Sequence, residues 1–195
     1  LHMLRVFFTG AFRKPRELNW VVGFLLFLMG MGAGFTGYSL PDDLLSGNGL
    51  RIIDGMIKGI PVIGTAFSSG FFGGEFPGTE VVARLYSLHI MILPALIIVL
   101  IGVHLMMVII HKHTHYSGPG RTDDNVVGYP LMPVYVAKAG GFFFLVFGVV
   151  AAIAATFTIN PIWNYGPYDP SPVSAGTQPD WYIGWLDGAL RLAPS

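Results

Sequence analysis

Apolar residues run almost unbroken through three stretches of the chain, and the polar breaks between them set the elements. The first runs from about Asn19 to Leu40 and stops at Pro41-Asp42-Asp43. The second runs from about Val81 to His111, and the third from about Val136 to Ile159. Each is long enough to cross a bilayer as a helix, which takes roughly 20 residues. From about Leu44 to Pro77 the pattern changes, because glycines, Arg51, Asp54, Lys58 and Pro61 interrupt the chain too often for a span. There Ile52, Ile53, Met56, Ile57 and Ile60 keep a helical stripe, as in short amphipathic helices lying at the interface. After the third span come Pro161, Pro167, Pro170, Pro172 and Pro179 with no Lys or Arg among them, and Trp181 opens a further apolar segment. The opening Leu1-His2-Met3-Leu4-Arg5-Val6-Phe7-Phe8 reads as the tail of another helix. The expectation is an all-α integral membrane bundle with three full spans, two partial ones and interfacial amphipathic helices, cut from a longer protein.

Composition sharpens this picture. The chain is 53% hydrophobic and 11% charged, with a mean hydropathy of +0.61, whereas a soluble domain carries roughly 25% charged residues. Its formal net charge is zero, so no basic footprint points to nucleic acid as a partner. Cysteine is absent, which excludes disulfides, iron–sulfur ligation and covalent CxxCH haem attachment by this chain. Basic residues set the expected topology. Arg5, Arg13, Lys14 and Arg16 precede the first span, while Lys112, Arg121 and Lys138 lie between the second and third. The loops around residues 8–18 and 112–136 are therefore expected on the cytoplasmic side of a cell membrane. In the amphipathic segment, Arg51 and Lys58 are balanced by Asp42, Asp43 and Asp54.

The candidate chemistry lies in the second span, where His89 and His104 are 15 positions apart with Pro94 between them. On a regular helix that spacing gives about 22 Å of rise and about 1500° of rotation, some 60° from whole turns. A small distortion near Pro94 would bring both rings onto one face. An ionisable or ligating residue inside a span is a functional-site hypothesis by default, and two at two depths suggest two metal centres. The first span carries Gly23 and Gly37, 14 positions apart, where a flat ring could approach the backbone. Plainer readings stand beside these. A histidine in a span can serve helix–helix hydrogen bonding, and glycines can serve close packing. Arg84 can snorkel to headgroups, Asp42 and Asp43 can be a solvated helix end, and His111, His113 and His115 can be an interfacial, solvated cluster. A non-haem proton-relay transporter using His and Asp is a further reading of the same residues.

Several stretches, taken in order, resemble the cytochrome b family of respiratory cytochrome bc complexes. They are Gly37-Tyr38-Ser39-Leu40-Pro41, Ile60-Pro61-Val62-Ile63-Gly64-Thr65, Arg84 with His89 and Pro94, and Pro179-Asp180-Trp181-Tyr182. The resemblance covers essentially the whole chain, from the end of the family's second helix to the start of its sixth. The Pro-Asp-Trp-Tyr form and the long loop after His104 are most like the actinobacterial b subunits. It implies two haem b groups, each held by two histidines. His2 and His104 would ligate the cytoplasmic-side haem, and His89 the outer one, with its partner upstream of His2. Arg5 and Arg84 match arginines near the haems, and Gly23 and Gly37 match glycines that admit the porphyrins. At the outer quinol site the resemblance implicates Tyr38, Gly49, Pro179, Asp180 and Tyr182, with Asp180 in the place where most members carry glutamate. At the cytoplasmic quinone site it implicates His111, with His113 and His115 as competitors, and Asp124, with Asp123 as competitor. The implied activity is menaquinol or ubiquinol:cytochrome c oxidoreduction, with electron transfer through the haems coupled to proton translocation. Implied partners are a Rieske iron–sulfur protein, a c-type cytochrome, a terminal oxidase in a supercomplex, membrane lipid and a second copy of the subunit. A di-haem b-type membrane anchor of another redox complex would lack the Pro-Asp-Trp-Tyr loop.

Overall fold

The polar breaks in the sequence are where the helices stop. The computed structural model describes residues 1–158, 164–172, 182 and 184–192. In chain order these form α1 (His2–Phe8), α2 (Glu17–Tyr38), α3 (Leu44–Lys58), α4 (Gly64–Phe72) and α5 (Val81–Ser87). A π turn (Leu88–Ile92) leads into α6 (Leu93–His111); a second (Leu131–Tyr135) leads into α7 (Val136–Thr156), and α8 is Gly184–Leu192. Three helical stretches are long and apolar enough to cross a membrane: Glu17–Tyr38 with 22 residues, Val81–His111 with 31 and Leu131–Thr156 with 26. At 1.5 Å per residue the shortest reaches about 33 Å, against a hydrocarbon core of ~30 Å. Large apolar side chains such as Ile98, Val99, Phe142, Phe144 and Phe147 are exposed along them. A soluble protein would bury these, and a lipid-facing helix need not. The protein is an all-α, multi-pass membrane protein.

The bounds differ from the sequence reading in informative ways. The first span begins and ends two residues earlier than expected, at Glu17 and Tyr38, because the residue before Pro41 is biased away from helical backbone. The third starts at Leu131, ahead of Val136, although Met132 within that turn is extended (φ −113°, ψ 135°). Regular helix therefore sets in at the expected position. The distortion expected near Pro94 is present as the π turn. Leu93 N–H reaches back five residues to the Leu88 carbonyl, in place of the ordinary bond to His89, immediately before a proline that has no N–H to give.

The chain divides into two compact units, residues 1–23 with 103–161 and residues 24–102 with 162–195. In the second, Leu50, Phe72, Val81 and Leu85 form a core that Phe35, Leu40, Ile57, Phe71 and Phe76 pack against. The helices α3 and α4 stand where the amphipathic segment was expected, too short to span. Asp43 is not a solvated helix end: it is buried and closes a reciprocal cap with Ser46 at the start of α3. Such a cap satisfies two of the orphan N–H groups of a helix start. Asp54 is also buried, hydrogen-bonded by Ser68 and paired with Lys58 at 2.8 Å. The proline-rich segment returns to this region, with Tyr168 N–H donating to the Asp42 carbonyl at 3.0 Å. The Tyr168 ring fills the space where a side chain at Gly47 would stand.

In the first unit Arg16 is buried at the end of α6. It donates to the main-chain oxygens of His111 at 2.8 Å and Lys112 at 3.0 Å, and pairs with Asp123 at 3.0 Å. Arg13 joins it through Thr114 and, at 3.3 Å, Asp123. The last carbonyls of a helix lack partners within it, and a guanidinium is well suited to take them.

Candidate functional site

The first unit brings His2 of α1 and His104 of α6 face to edge, with ring centres 6.3 Å apart and planes at 86°. Two imidazoles bound to opposite sides of one first-row metal, each nitrogen ~2.0–2.1 Å from it, have ring centres about 6 Å apart. The pair is thus spaced for a shared metal. Beneath His104 lies Gly23, where a Cβ would stand 3.3 Å from the ring's Cε1. Nδ1 of His104 is buried with no partner in hydrogen-bonding geometry, and the backbone of Asn19 is a polar neighbour of the ring. Arg5, three residues after His2, is exposed and makes no ion pair or side-chain hydrogen bond among the described residues.

The second unit holds His89 on its π turn. Thr36 Oγ1 lies 3.1 Å from His89 Nδ1. Gly37 faces the same ring so closely that a Cβ there would be 2.5 Å from Cε1 and 3.0 Å from Nε2. Both glycines singled out in the sequence therefore lie directly against histidine rings. Arg84 engages α4 through one nitrogen: its Nη1 donates to the Gly70 carbonyl and, at 2.9 Å, to that of Phe71. Thr36 was missed in the sequence. The signal available was a buried-type hydroxyl one residue before Gly37, on a span that also carries ligand-facing positions.

Among the residues expected at a quinol site, Tyr38 is half-buried at the end of α2, and the space where Gly49 would carry a Cβ is open. The Tyr182 hydroxyl comes 3.5 Å from where a Cβ of Gly34 would stand. Gly34 and Tyr38 are four residues apart on α2, so the Tyr182 ring rests on the helix face that carries Tyr38. Pro179 and Asp180 lie outside the described residues. Around the other candidate quinone site, His111 Nδ1 is buried without a partner. His113 is exposed and packs edge-on against Tyr135 at 5.6 Å, and His115 Nε2 sits 2.8 Å from the Thr122 carbonyl. Asp123 is taken by Thr114, Arg16 and Arg13, and the Thr114 hydroxyl and Arg16 guanidinium hold its carboxyl below the usual range. Asp124 is exposed and forms no ion pair among the described residues.

Among the described residues no three His, Asp or Glu side chains converge as a bare metal ion would need. A two-histidine set suits haem, whose porphyrin supplies the other four bonds to iron. The spanning helices define a multi-pass membrane protein, and His2 with His104 makes a candidate ligand pair. The chain belongs to the cytochrome b N-terminal (b/b6/petB) family, whose model matches residues 1–167. It is 60% identical over 194 residues to the cytochrome bc1 complex cytochrome b subunit of Streptomyces coelicolor. The subunits of the same description from Mycobacterium tuberculosis and Corynebacterium diphtheriae are 54% and 52% identical over 195 residues. All of this chain is covered in each case, and it spans 36% of the length of these relatives. A solved structure described as a hyperthermophilic respiratory Complex III shares the fold, with a TM-score of 0.75 at 23% identity over 98% of this chain and 55% of that one. Family membership implies haem b, and the residues present fit it.

Proposed function

We propose that this chain is the haem-holding part of the b subunit of a menaquinol- or ubiquinol:cytochrome c oxidoreductase. The observation that carries the reading is the His2–His104 pair, with ring centres 6.3 Å apart and Gly23 directly against the His104 ring. Haem b, when bound, supplies one-electron chemistry. Held by two histidines, it would supply electron transfer in preference to oxygen binding. His2 and His104 would hold one haem, and His89 would be a ligand of a second. Arg5 and Arg84 receive carboxylate groups of the cofactors. Tyr38, Gly49, Pro179 and Tyr182 shape a quinol pocket, where Asp180 accepts a proton at its carboxylate. His111 and Asp124 serve a second quinone site. The uncommitted carboxylate of Asp124, beside the engaged Asp123, supports that choice, and the buried unpartnered Nδ1 supports His111.

The partners are a Rieske iron–sulfur protein, a c-type cytochrome, a terminal oxidase in a larger assembly, lipid and a second copy of the subunit. The basic loops around residues 8–18 and 112–136 face the cytoplasm. The reading is tested by His104→Ala in the full-length subunit within its complex. One of two haems is expected to be lost, measured by pyridine haemochrome content. Unchanged haem content overturns it.

A further inference from the structure

We infer that Thr36 is a positioning residue for His89: its hydroxyl oxygen accepts the Nδ1 proton of the imidazole and so fixes the tautomer whose Nε2 lone pair ligates iron. This rests on the haem reading of His89 given above. Thr36 Oγ1 lies 2.8 Å from the Gly32 carbonyl, 3.2 Å from that of Ala33 and 3.1 Å from His89 Nδ1. Carbonyl oxygens only accept, and a hydroxyl has one proton to give. That proton goes to the main chain of the preceding turn, a common arrangement for threonine in a helix. The oxygen's lone pair then faces Nδ1, which must be the donor.

The ring has little freedom to adopt another arrangement. Thr36 is buried, 5% exposed, and its β-branched side chain is restricted at χ1. Gly37, the next residue, lies against the same imidazole. A hydroxyl buried in an apolar span is costly unless hydrogen-bonded, and here it is bonded on both sides. The two histidine sites differ in this respect. His104 Nδ1 has no side-chain hydroxyl on it, so the His2–His104 haem serves as an internal control.

A hydrogen bond from Nδ1 to an oxygen raises the basicity of the ligating nitrogen and favours the ferric state; such outer partners are worth about 10–100-fold. Thr36→Val keeps the shape and removes the acceptor. In the full-length subunit within its complex, the midpoint potential of the His89 haem is expected to rise. A tenfold change in the preference between oxidation states corresponds to ~59 mV for one electron. The ferric EPR signal of that haem is expected to shift with it, Thr36→Ser is expected to restore both, and the other haem stays put. The His89 haem is identified as the one retained in His104→Ala. Should the Val variant lose that haem, Thr36→Ser decides. Retention of haem and potential in the Ser variant carries the inference, and loss there sinks it. Unchanged potentials in a fully loaded Thr36→Val, with a haem lost in His89→Ala, overturn the inference alone. Both haems kept in His89→Ala overturn the haem reading and the inference with it.

Discussion

Adding one methyl group at Gly37 should do far more damage than adding one at Gly23, although both glycines face a histidine ring. At Gly37 the new Cβ would stand 2.5 Å from His89 Cε1, with Nε2 and Nδ1 at 3.0 and 3.1 Å. Ordinary contact begins at 3.4 Å, so the ring or the backbone must retreat by about 0.9 Å. A metal ligand tolerates displacements of roughly 0.2 Å before the bond is compromised. The ring also cannot slide away freely, because Thr36 holds its Nδ1 at 3.1 Å. At Gly23 the new Cβ would meet His104 Cε1 at 3.3 Å, only about 0.1 Å short of ordinary contact. Overpacking of this kind costs about 1–3 kcal/mol where the neighbour cannot yield, which is roughly 5- to 150-fold in an equilibrium. Gly37→Ala is therefore expected to reduce or shift the His89 haem band selectively, with the protein still inserted, and Gly23→Ala to leave the spectrum close to wild type. The assay is a dithionite-minus-ferricyanide difference spectrum with pyridine haemochrome quantification on full-length complexes. Equal effects of the two substitutions, or a normal spectrum for Gly37→Ala, would refute the argument from ring contact.

Three further outcomes are expected. Asp180→Asn in a fully haem-loaded complex should slow quinol-driven haem reduction by ~10²–10⁴-fold; a wild-type rate across the neutral range would refute the proton-accepting role. Asp123 is held below the usual carboxylate range by the Thr114 hydroxyl and the Arg16 guanidinium. For an acid with a depressed folded pKa, the stabilisation is present above the ordinary aspartate value, about 4, and is lost as pH falls through the depressed one. Amide exchange of residues 112–126 should thus stay protected down to about pH 4 and rise only below it; protection failing near neutrality would contradict this. Ser117→Cys, in a chain with no cysteine of its own, should resist membrane-impermeant thiol reagents in intact cells, and ready labelling from outside would reverse the sidedness.

The spans were legible because length and apolarity suffice to mark them, and Pro41-Asp42-Asp43 stops the first as its backbone chemistry requires. The approach of Gly23 and Gly37 to the two histidine rings could be anticipated, because 14 positions separate the glycines on one span and 15 the histidines on the other. What could not be read was whatever depends on elements meeting. Asp54 looks in the sequence like a charge that breaks a span; it is instead buried against Ser68, 14 residues on, once α3 and α4 pack. Asp43 looked solvated, and its burial follows from the return of the proline-rich segment to Asp42. Thr36 was hidden among apolar neighbours because its role needs a residue 53 positions away. Arg84 matched a haem-facing arginine, yet its first partners are carbonyls of α4, which only the folded geometry reveals.

The distribution of cations gives the argument a further step. Arg16 and Arg13 are tied to Asp123 and to main-chain oxygens at the end of α6. Lys58 is paired with Asp54, Arg51 donates to the Pro170 carbonyl at 3.3 Å, and Lys138 lies 3.9 Å over the Tyr129 ring. Arg84 spends Nη1 on α4 and keeps Nη2 and Nε for another acceptor. Like Lys14, Lys112 and Arg121, Arg5 makes no ion pair or side-chain hydrogen bond among the described residues. It stands one helical turn from His2, whose ring is set for a shared metal with His104. A guanidinium in or near hydrocarbon favours an anion, and it binds a carboxylate bidentately where one is offered. A haem between those two rings would bring carboxylates of its own, and the proposed role of Arg5 is to receive them.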